Sequence, residues 1–264
     1  MFDFGENAEP EIKRRREVVF ILLAGFFLGT LAILNILGIS RQIDFSFIIF
    51  GKTVPFIVFV GVLPYPITFL CTDFISEIYG KKRANTVVWV GLILNIWVLF
   101  ILWLGGILPP HPEILDDGLP GRFDPNRSFF QIRQWTFGAT LASMIAYLTA
   151  QFVDVHLFHF IRKLTKGKML WLRNNASTLT SQMVDSIAVV TITYFYASSA
   201  IYISPGETVI HALTILILSN YMFKMVSALL DTIPFYLGVN FLKKYLQIDP
   251  DKEFKPHSEP LPGL

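Results

Sequence analysis

Long apolar runs alternate with short polar breaks along this chain, and the runs have the length of membrane crossings. A hydrocarbon layer about 30 Å thick takes roughly 20 helical residues to cross at 1.5 Å each. Six stretches meet that length, at about 17–38, 53–78, 86–108, 135–160, 180–203 and 208–241. The third is the clearest, since Val87 to Leu108 contains no charged residue. The first is expected to persist as a helix: it is too long for a signal peptide, and Gly29, Asn35 and Gly38 form no small-residue cleavage pattern. The pattern predicts an all-α integral membrane protein built as a six-transmembrane-helix bundle. Residues 1–16 form a basic N-terminal segment, 17–241 the membrane domain and 242–264 a C-terminal tail.

Composition narrows the class further. Of 264 residues, 53% are hydrophobic and only 16% charged, against about a quarter charged in soluble domains. An ordinary soluble globule and a disordered chain are both excluded. The lone Cys71 excludes a disulfide framework and a multi-thiolate metal site, and reads as a small buried hydrophobe. A net charge of +2 is too small to point to nucleic acid, so the position of the charges matters more than their sum.

Those positions set the topology. Sixteen Lys and Arg residues fall in the N-terminal segment, at 81–83, at 162–173 and after residue 242, all on one side of a six-crossing chain. Five fall on the other side, Arg41, Lys52, Arg122, Arg127 and Arg133, and Lys224 lies within the sixth run. The positive-inside rule then puts both termini in the cytoplasm. The outer connection at about 109–134, with five prolines, is expected to be irregular and solvated, and the tail from Asp249 to be a disordered end.

An ionisable group inside an apolar run costs several kcal/mol unless it is paired or faces water, which makes each one a candidate for function. The second run ends with Asp73 and Glu77 on one helix face; the fourth holds Gln151 and Asp154, then His156 on another face. The fifth holds Gln182 and Asp185 above Ser177, Thr178 and Ser181. In the sixth, Lys224 and Asp231 lie seven residues apart and share a face. By depth the carboxylates gather toward the cytoplasmic half, which predicts one polar cavity built by the second, fourth, fifth and sixth helices. Gly61, Pro64 and Pro66 should break the second helix, and Pro234 the sixth. Gln151-Phe-Val-Asp154 returns as Gln182-Met-Val-Asp185, two carboxamide and carboxylate pairs suited to the edges of a flat ligand.

A structural reading competes with this one. In it Glu77 pairs with Lys81 or Arg83 at the interface, and Asp154 and Asp185 lock helices through Arg162 and Arg173. His156 is then an interfacial residue, and the tryptophans form lipid-facing surface and interfacial belts. The chain has no zinc-protease, nucleophile-elbow or phosphate-loop motif, and its five histidines are scattered, so no enzyme, metal or cofactor is expected.

Three stretches resemble the queuosine precursor transporter family, of the vitamin-uptake-transporter type. They are Tyr65-Pro-Ile-Thr-Phe-Leu-Cys-Thr-Asp73 through Glu77-Ile-Tyr-Gly-Lys-Lys-Arg-Ala84, Gln151-Phe-Val-Asp154 through Phe158, and Trp171-Leu-Arg-Asn174 with Ser177, Thr178, Gln182 and Asp185. Lys224 and Pro234-Phe-Tyr236 add a weaker match. The resemblance implies a multi-pass importer of the cell (inner) membrane that takes up 7-cyano-7-deazaguanine and 7-aminomethyl-7-deazaguanine for queuosine modification of tRNA. It also adds Arg173 and Asn174 to Asp73, Glu77, Gln151, Asp154, Gln182, Asp185 and Lys224 as substrate-binding residues. A deazaguanine fits that set, because its N1–H and N2–H donors suit a carboxylate, its O6 acceptor a carboxamide, and its flat ring an aromatic wall. An importer of another vitamin or nucleobase and a non-transporting membrane assembly protein stay open, as does the choice between proton coupling and facilitated diffusion.

Overall fold

A computed structural model describes residues 9–109, 125–165 and 170–248. Six α-helices carry the described fold: α1 (Pro10–Leu37), α2 (Tyr65–Tyr79), α3 (Lys81–Ile107), α4 (Pro125–Leu164), α5 (Leu170–Tyr196) and α6 (Val209–Tyr245). Three of them, Pro10–Leu37, Lys82–Ile107 and Val209–Tyr245, are long and apolar enough to cross a membrane by length and composition. Large apolar side chains stand exposed along them, among them Phe26 and Ile33 on α1, Trp89 and Trp97 on α3, and Leu229 and Phe241 on α6. Apolar exposure on this scale is foreign to a monomer in water and natural against lipid.

The structure departs from the expected elements in five places. Residues 53–63 are not helix. Strands β1 (Gln42–Asp44), β2 (Phe47–Ile49), β3 (Lys52–Val54) and β4 (Ile57–Phe59) pair antiparallel, β1 with β4 and β2 with β3, and a 3₁₀ turn follows at Val60–Val62. The segment is rich in β-branched and aromatic residues, which suits an extended backbone, and Pro55 cannot serve a helix interior. The connection between β2 and β3 is two residues, Phe50 at φ 49° and Gly51 at φ 74°, both in the left-handed region that a tight hairpin turn needs. Beside it Asp44 Oδ1 accepts the Ser46 amide at 2.8 Å, and the Ser46 hydrogen bonds hold that carboxyl below its usual range.

Three of the others concern helix ends and one a helix interior. Pro64 and Pro66 begin α2 instead of interrupting it, because a proline lacking its N–H costs nothing in the first turn. By the same logic α4 starts at Pro125, so the last ten residues of the expected outer loop are helical; residues 110–124 lie outside the described residues, as does the tail from 249. α5 starts ten residues earlier than expected, its hydroxyls absorbed into the helix by bonds such as Thr180 Oγ1 to the Ala176 carbonyl at 2.8 Å. α6 runs unbroken through Pro234. It begins where Thr208 Oγ1 accepts the His211 amide at 3.4 Å, while His211 Nδ1 bonds Glu207 Oε1 at 2.7 Å and holds that carboxyl below its ordinary value.

The chain divides into two compact units. The first takes residues up to Ala32, Pro64–Leu94 and Ser227 onward. Its core joins Phe20 and Phe27 of α1 to Cys71, Ile75, Ile78 and Tyr79 of α2, Ala84 and Val87 of α3, and Leu246 and Ile248. Buried Arg16 donates to the carbonyls of Leu246 at 3.0 Å and Gln247 at 2.6 Å, placing a cation at the C-terminal end of α6, and Tyr79 Oη donates to the Arg16 carbonyl at 2.9 Å.

The second unit takes Ile33–Leu63 and Asn95–Val226. α4 buries Ala139, Ala142, Ala146 and Ala150 at helical spacing, the small-residue surface that lets membrane helices approach closely. Polar contacts hold this unit as well: Asn35 Nδ2 donates to Asn95 Oδ1 at 2.9 Å, and Ser143 Oγ to Asn35 Oδ1 at 3.1 Å. Gly38 and Gly61 meet backbone to backbone, with the Gly61 amide bonded to the Gly38 carbonyl at 2.9 Å. A Cβ added to Gly61 would stand 2.5 Å from the Gly38 Cα, where no side chain can yield. Gly61→Ala is therefore expected to destabilise the protein by about 1–3 kcal/mol, seen as a lower thermal midpoint in detergent. An unchanged midpoint would show that the two backbones can part freely.

Candidate functional site

Each unit holds charged side chains inside its helices. In the second unit α5 carries Ser181, Gln182, Asp185 and Ser186 within a turn and a half, and α6 carries Ser219, Asn220 and Lys224. Lys224 Nζ donates to Asp185 Oδ2, with only 7% of the lysine side chain and 11% of the aspartate side chain exposed. Helix spacing made Asp231 the residue sharing a face with Lys224, but the bond runs across helices to Asp185. Arg173, the alternative partner for Asp185, has a side chain outside the described residues.

Several buried polar atoms of this unit have no hydrogen-bond partner within the described residues. They include Gln182 Oε1, Thr193 Oγ1, Thr140 Oγ1 and Asn220 Oδ1, although Asn220 Nδ2 donates to the Leu216 carbonyl at 2.7 Å. Leaving such an atom unpaired costs about 1–3 kcal/mol, so each is a place for water or a ligand to bond. Gln182 and Thr193 lie eleven residues apart, which returns them to nearly the same face of α5. The group thus offers a carboxylate, an ammonium, a carboxamide and hydroxyls, the set that reads the edge of a hydrogen-bonding heterocycle.

In the first unit Asp73 on α2 is exposed, and Asp231 on α6 lies close enough for the two carboxylates to act on each other electrostatically. Asp231 Oδ2 is buried without a partner among the described residues. Glu77 Oε1 accepts from Lys243 Nζ at 3.2 Å in an exposed pair, and the Lys81 side chain lies outside the described residues. A pair of that kind contributes about 0–1 kcal/mol. The Arg83 guanidinium lies 5.9 Å from the centre of the Tyr79 ring. Cys71 is buried, as expected.

Gln151 and Asp154 lie on α4 and Arg173 and Asn174 on α5, but their side chains are outside the described residues. The Asn35, Asn95 and Ser143 network went unread in the sequence, though two asparagines amid apolar runs were its visible trace. Among the described residues no group of three or more His, Cys, Asp and Glu side chains could hold a metal ion.

A buried pair is most sensitive to losing one partner. Lys224→Met, which strands Asp185, is expected to lower stability by about 3–5 kcal/mol, and the double change Asp185→Leu with Lys224→Met to regain most of it. Unfolding midpoints of the purified variants check this; a single variant as stable as the double would show that the pair is not closed in the folded protein.

Comparison with known proteins places these groups in context. The family described as "Putative vitamin uptake transporter" matches residues 59–238, which takes in α2 to α6 as far as Gly238. The chain is 27% identical to the "Probable queuosine precursor transporter" of Bacillus subtilis over 65% of its own length and 67% of that protein's. It is 24% identical to the "Queuosine precursor transporter" of Escherichia coli over 70% and 75% of the two lengths. A further relative in Haemophilus influenzae is 24% identical over 71% of each. These relatives are named as transporters and not as enzymes. No solved structure matches the chain. With the family match covering more than half of the chain, the resemblance read from its motifs is shown, and this membrane protein belongs to the vitamin uptake transporter family.

Proposed function

We propose that the protein imports the deazaguanine precursors of queuosine, 7-cyano-7-deazaguanine and 7-aminomethyl-7-deazaguanine, across the cell (inner) membrane, and that Asp185 and Lys224 form the heart of its binding site. The observation that carries the reading is the closed, buried ion pair between α5 and α6, in a unit that also buries polar atoms lacking partners among the described residues. With no cargo bound, the two charges neutralise each other. A deazaguanine competes for both members at once: its N1–H and N2–H groups donate to the Asp185 carboxylate, and Lys224 is released toward the O6 acceptor. Gln182 orients the ring edge, and Gln151 and Asp154 serve it from α4, the helix packed along α5. Arg173 and Asn174 near the start of α5 are assigned to the same task. Asp73 and Asp231 are the carboxylates that would carry a proton if uptake is proton-coupled.

The topology proposed for this task has six crossings and cytoplasmic termini. At 15 residues α2 is about 22 Å long, shorter than the hydrocarbon layer, so the second crossing needs the extended residues ahead of Tyr65 as well. Reporters fused after Leu264 and inserted near Asp117 are expected to lie on opposite sides of the membrane. The same side for both would end the six-crossing assignment.

Uptake of the two labelled bases into cells or proteoliposomes, normalised to folded protein, tests the site. Asp185→Asn is expected to reduce uptake at least roughly tenfold, because Asn keeps the size but loses the charge and the bidentate acceptor. The double variant Asp185→Leu with Lys224→Met separates binding from mere helix locking. A lock is replaced by apolar packing and uptake returns; a binding site stays inactive in a stable protein. Normal uptake by the double variant would overturn the assignment of Asp185.

A further inference from the structure

A cavity of about 940 Å³ opens at one end of the second unit, away from the residues assigned above. The connection from α1 to β1, strand β4, the first turns of α4 and the segment after α5 converge on it. Its walls include Arg41, Gln42, Asp44, Gln131, Trp135 and Tyr202, and all of its lining residues belong to this one unit. In the topology proposed above, these connections all lie on the outer side. The cavity would thus face cargo arriving from outside.

The chemistry of the wall selects among ligands. Arg41 and Asp44 bring one charge of each sign, so the cavity offers no net field to draw in an ion. Two carboxamides, Gln42 and Gln131, each present a donor pair and an acceptor. Two aromatic rings supply flat apolar area. Trp135 is held in place by its Nε1–H, which donates to Ser199 Oγ at 3.2 Å, and by packing against the core of the unit that contains Ile39, Phe59 and Val190. Tyr202 is mostly exposed. Ring faces beside carboxamides form the combination that binds an uncharged, planar, hydrogen-bonding heterocycle, by stacking on one side and edge contacts on the other. The volume exceeds that of a single base, so water fills the remainder and the ligand is held loosely, as suits a group that must move on.

We infer that this cavity is an outer docking subsite for the heteroaromatic base, in which Trp135 and Tyr202 stack on the ring and Gln42 and Gln131 address its edge. This rests on the importer reading and adds a second station to it. The station raises the local concentration of cargo at the mouth of the unit and frees the ring of bulk water before the buried pair receives it. Because it reads only the ring and its amide-like edge, the subsite accepts bases with different substituents at position 7 with similar affinity.

The test separates the two stations. Full-length protein in lipid nanodiscs is titrated with 7-cyano-7-deazaguanine, with tryptophan fluorescence and radiolabel binding as readouts. Three proteins are compared: the unaltered chain, Asp185→Asn, and Asp185→Asn combined with Gln131→Ala and Tyr202→Ala. The last two changes fall on exposed residues and leave the core intact. Asp185→Asn is expected to keep a weak, saturable binding phase that quenches tryptophan fluorescence, and the triple variant to weaken that phase roughly tenfold, as the loss of one stacking partner does. Trp135→Phe in the Asp185→Asn background keeps an aromatic wall and is expected to retain the binding while losing the quench. If Asp185→Asn abolishes all binding, or its residual binding is unmoved by Gln131→Ala and Tyr202→Ala, the docking subsite is overturned. If Asp185→Asn binds as tightly as the unaltered chain, the assignment of the buried pair fails, and Gln131→Ala with Tyr202→Ala in the unaltered chain then decides the outer subsite alone, binding weakened roughly tenfold upholding it and binding unchanged overturning it.

Discussion

A charge inside a helical bundle that faces lipid has no water to fall back on, and this constraint governs how the second unit is built. Lys224 sits in the apolar sixth helix and Asp185 in the fifth, and each is tolerable only because the other is there. The surrounding hydroxyls and carboxamides extend the same logic at lower stakes: Asn35, Asn95 and Ser143 satisfy one another, and the alanines of α4 let the backbones come close enough for such short side chains to meet. Burial of an ion pair is poor evidence for stability, because apolar packing of equal volume often does as well. The proposed exchange with a ligand would give the pair a role that stability alone does not.

The family match and the geometry point the same way from independent starting points. A transporter must hold its cargo firmly enough to select it and loosely enough to release it. A site whose empty state is already self-neutralised meets that need, since the entering ligand replaces one set of hydrogen bonds by another and leaves no bare charge behind. Binding then draws on the difference between two closely matched states, which keeps affinity moderate and turnover possible.

Much of the fold was legible in the apolar runs. α1, α3 and α6 were read almost to their ends because length and charge exclusion are strong signals over more than twenty residues. Residues 53–63 were misread as the start of a helix for the same reason: their Phe, Ile and Val side chains satisfy a hydropathy criterion equally well in strands, and Phe50-Gly51 lacks the asparagine that commonly betrays a hairpin turn. Prolines 64 and 66 were taken as breaks and Pro125 as part of an irregular loop, whereas each sits in the first turn of a helix or caps one, where its missing amide costs nothing. At the site, Asp185 and Lys224 were each visible as a charge in apolar surroundings. Their pairing was not, because it joins residues 39 apart on different helices, and local spacing favoured Asp231. Arg16 was hidden in a basic cluster that reads only as topology.

That arginine has a consequence for how the protein is made. Its bonds to the Leu246 and Gln247 carbonyls link positions 230 and 231 residues apart, so they cannot form until the last helix has left the ribosome. At about 5–20 residues per second the wait is tens of seconds, during which the first helix lacks these two carbonyl contacts and holds a half-built core around Phe20 and Tyr79. The second unit, drawn mostly from the continuous stretch Asn95–Val226, meets no such delay. Biogenesis therefore has a direction: the interior segment assembles during synthesis, and the unit that gathers its pieces from both ends and the middle of the chain closes only when translation is nearly complete.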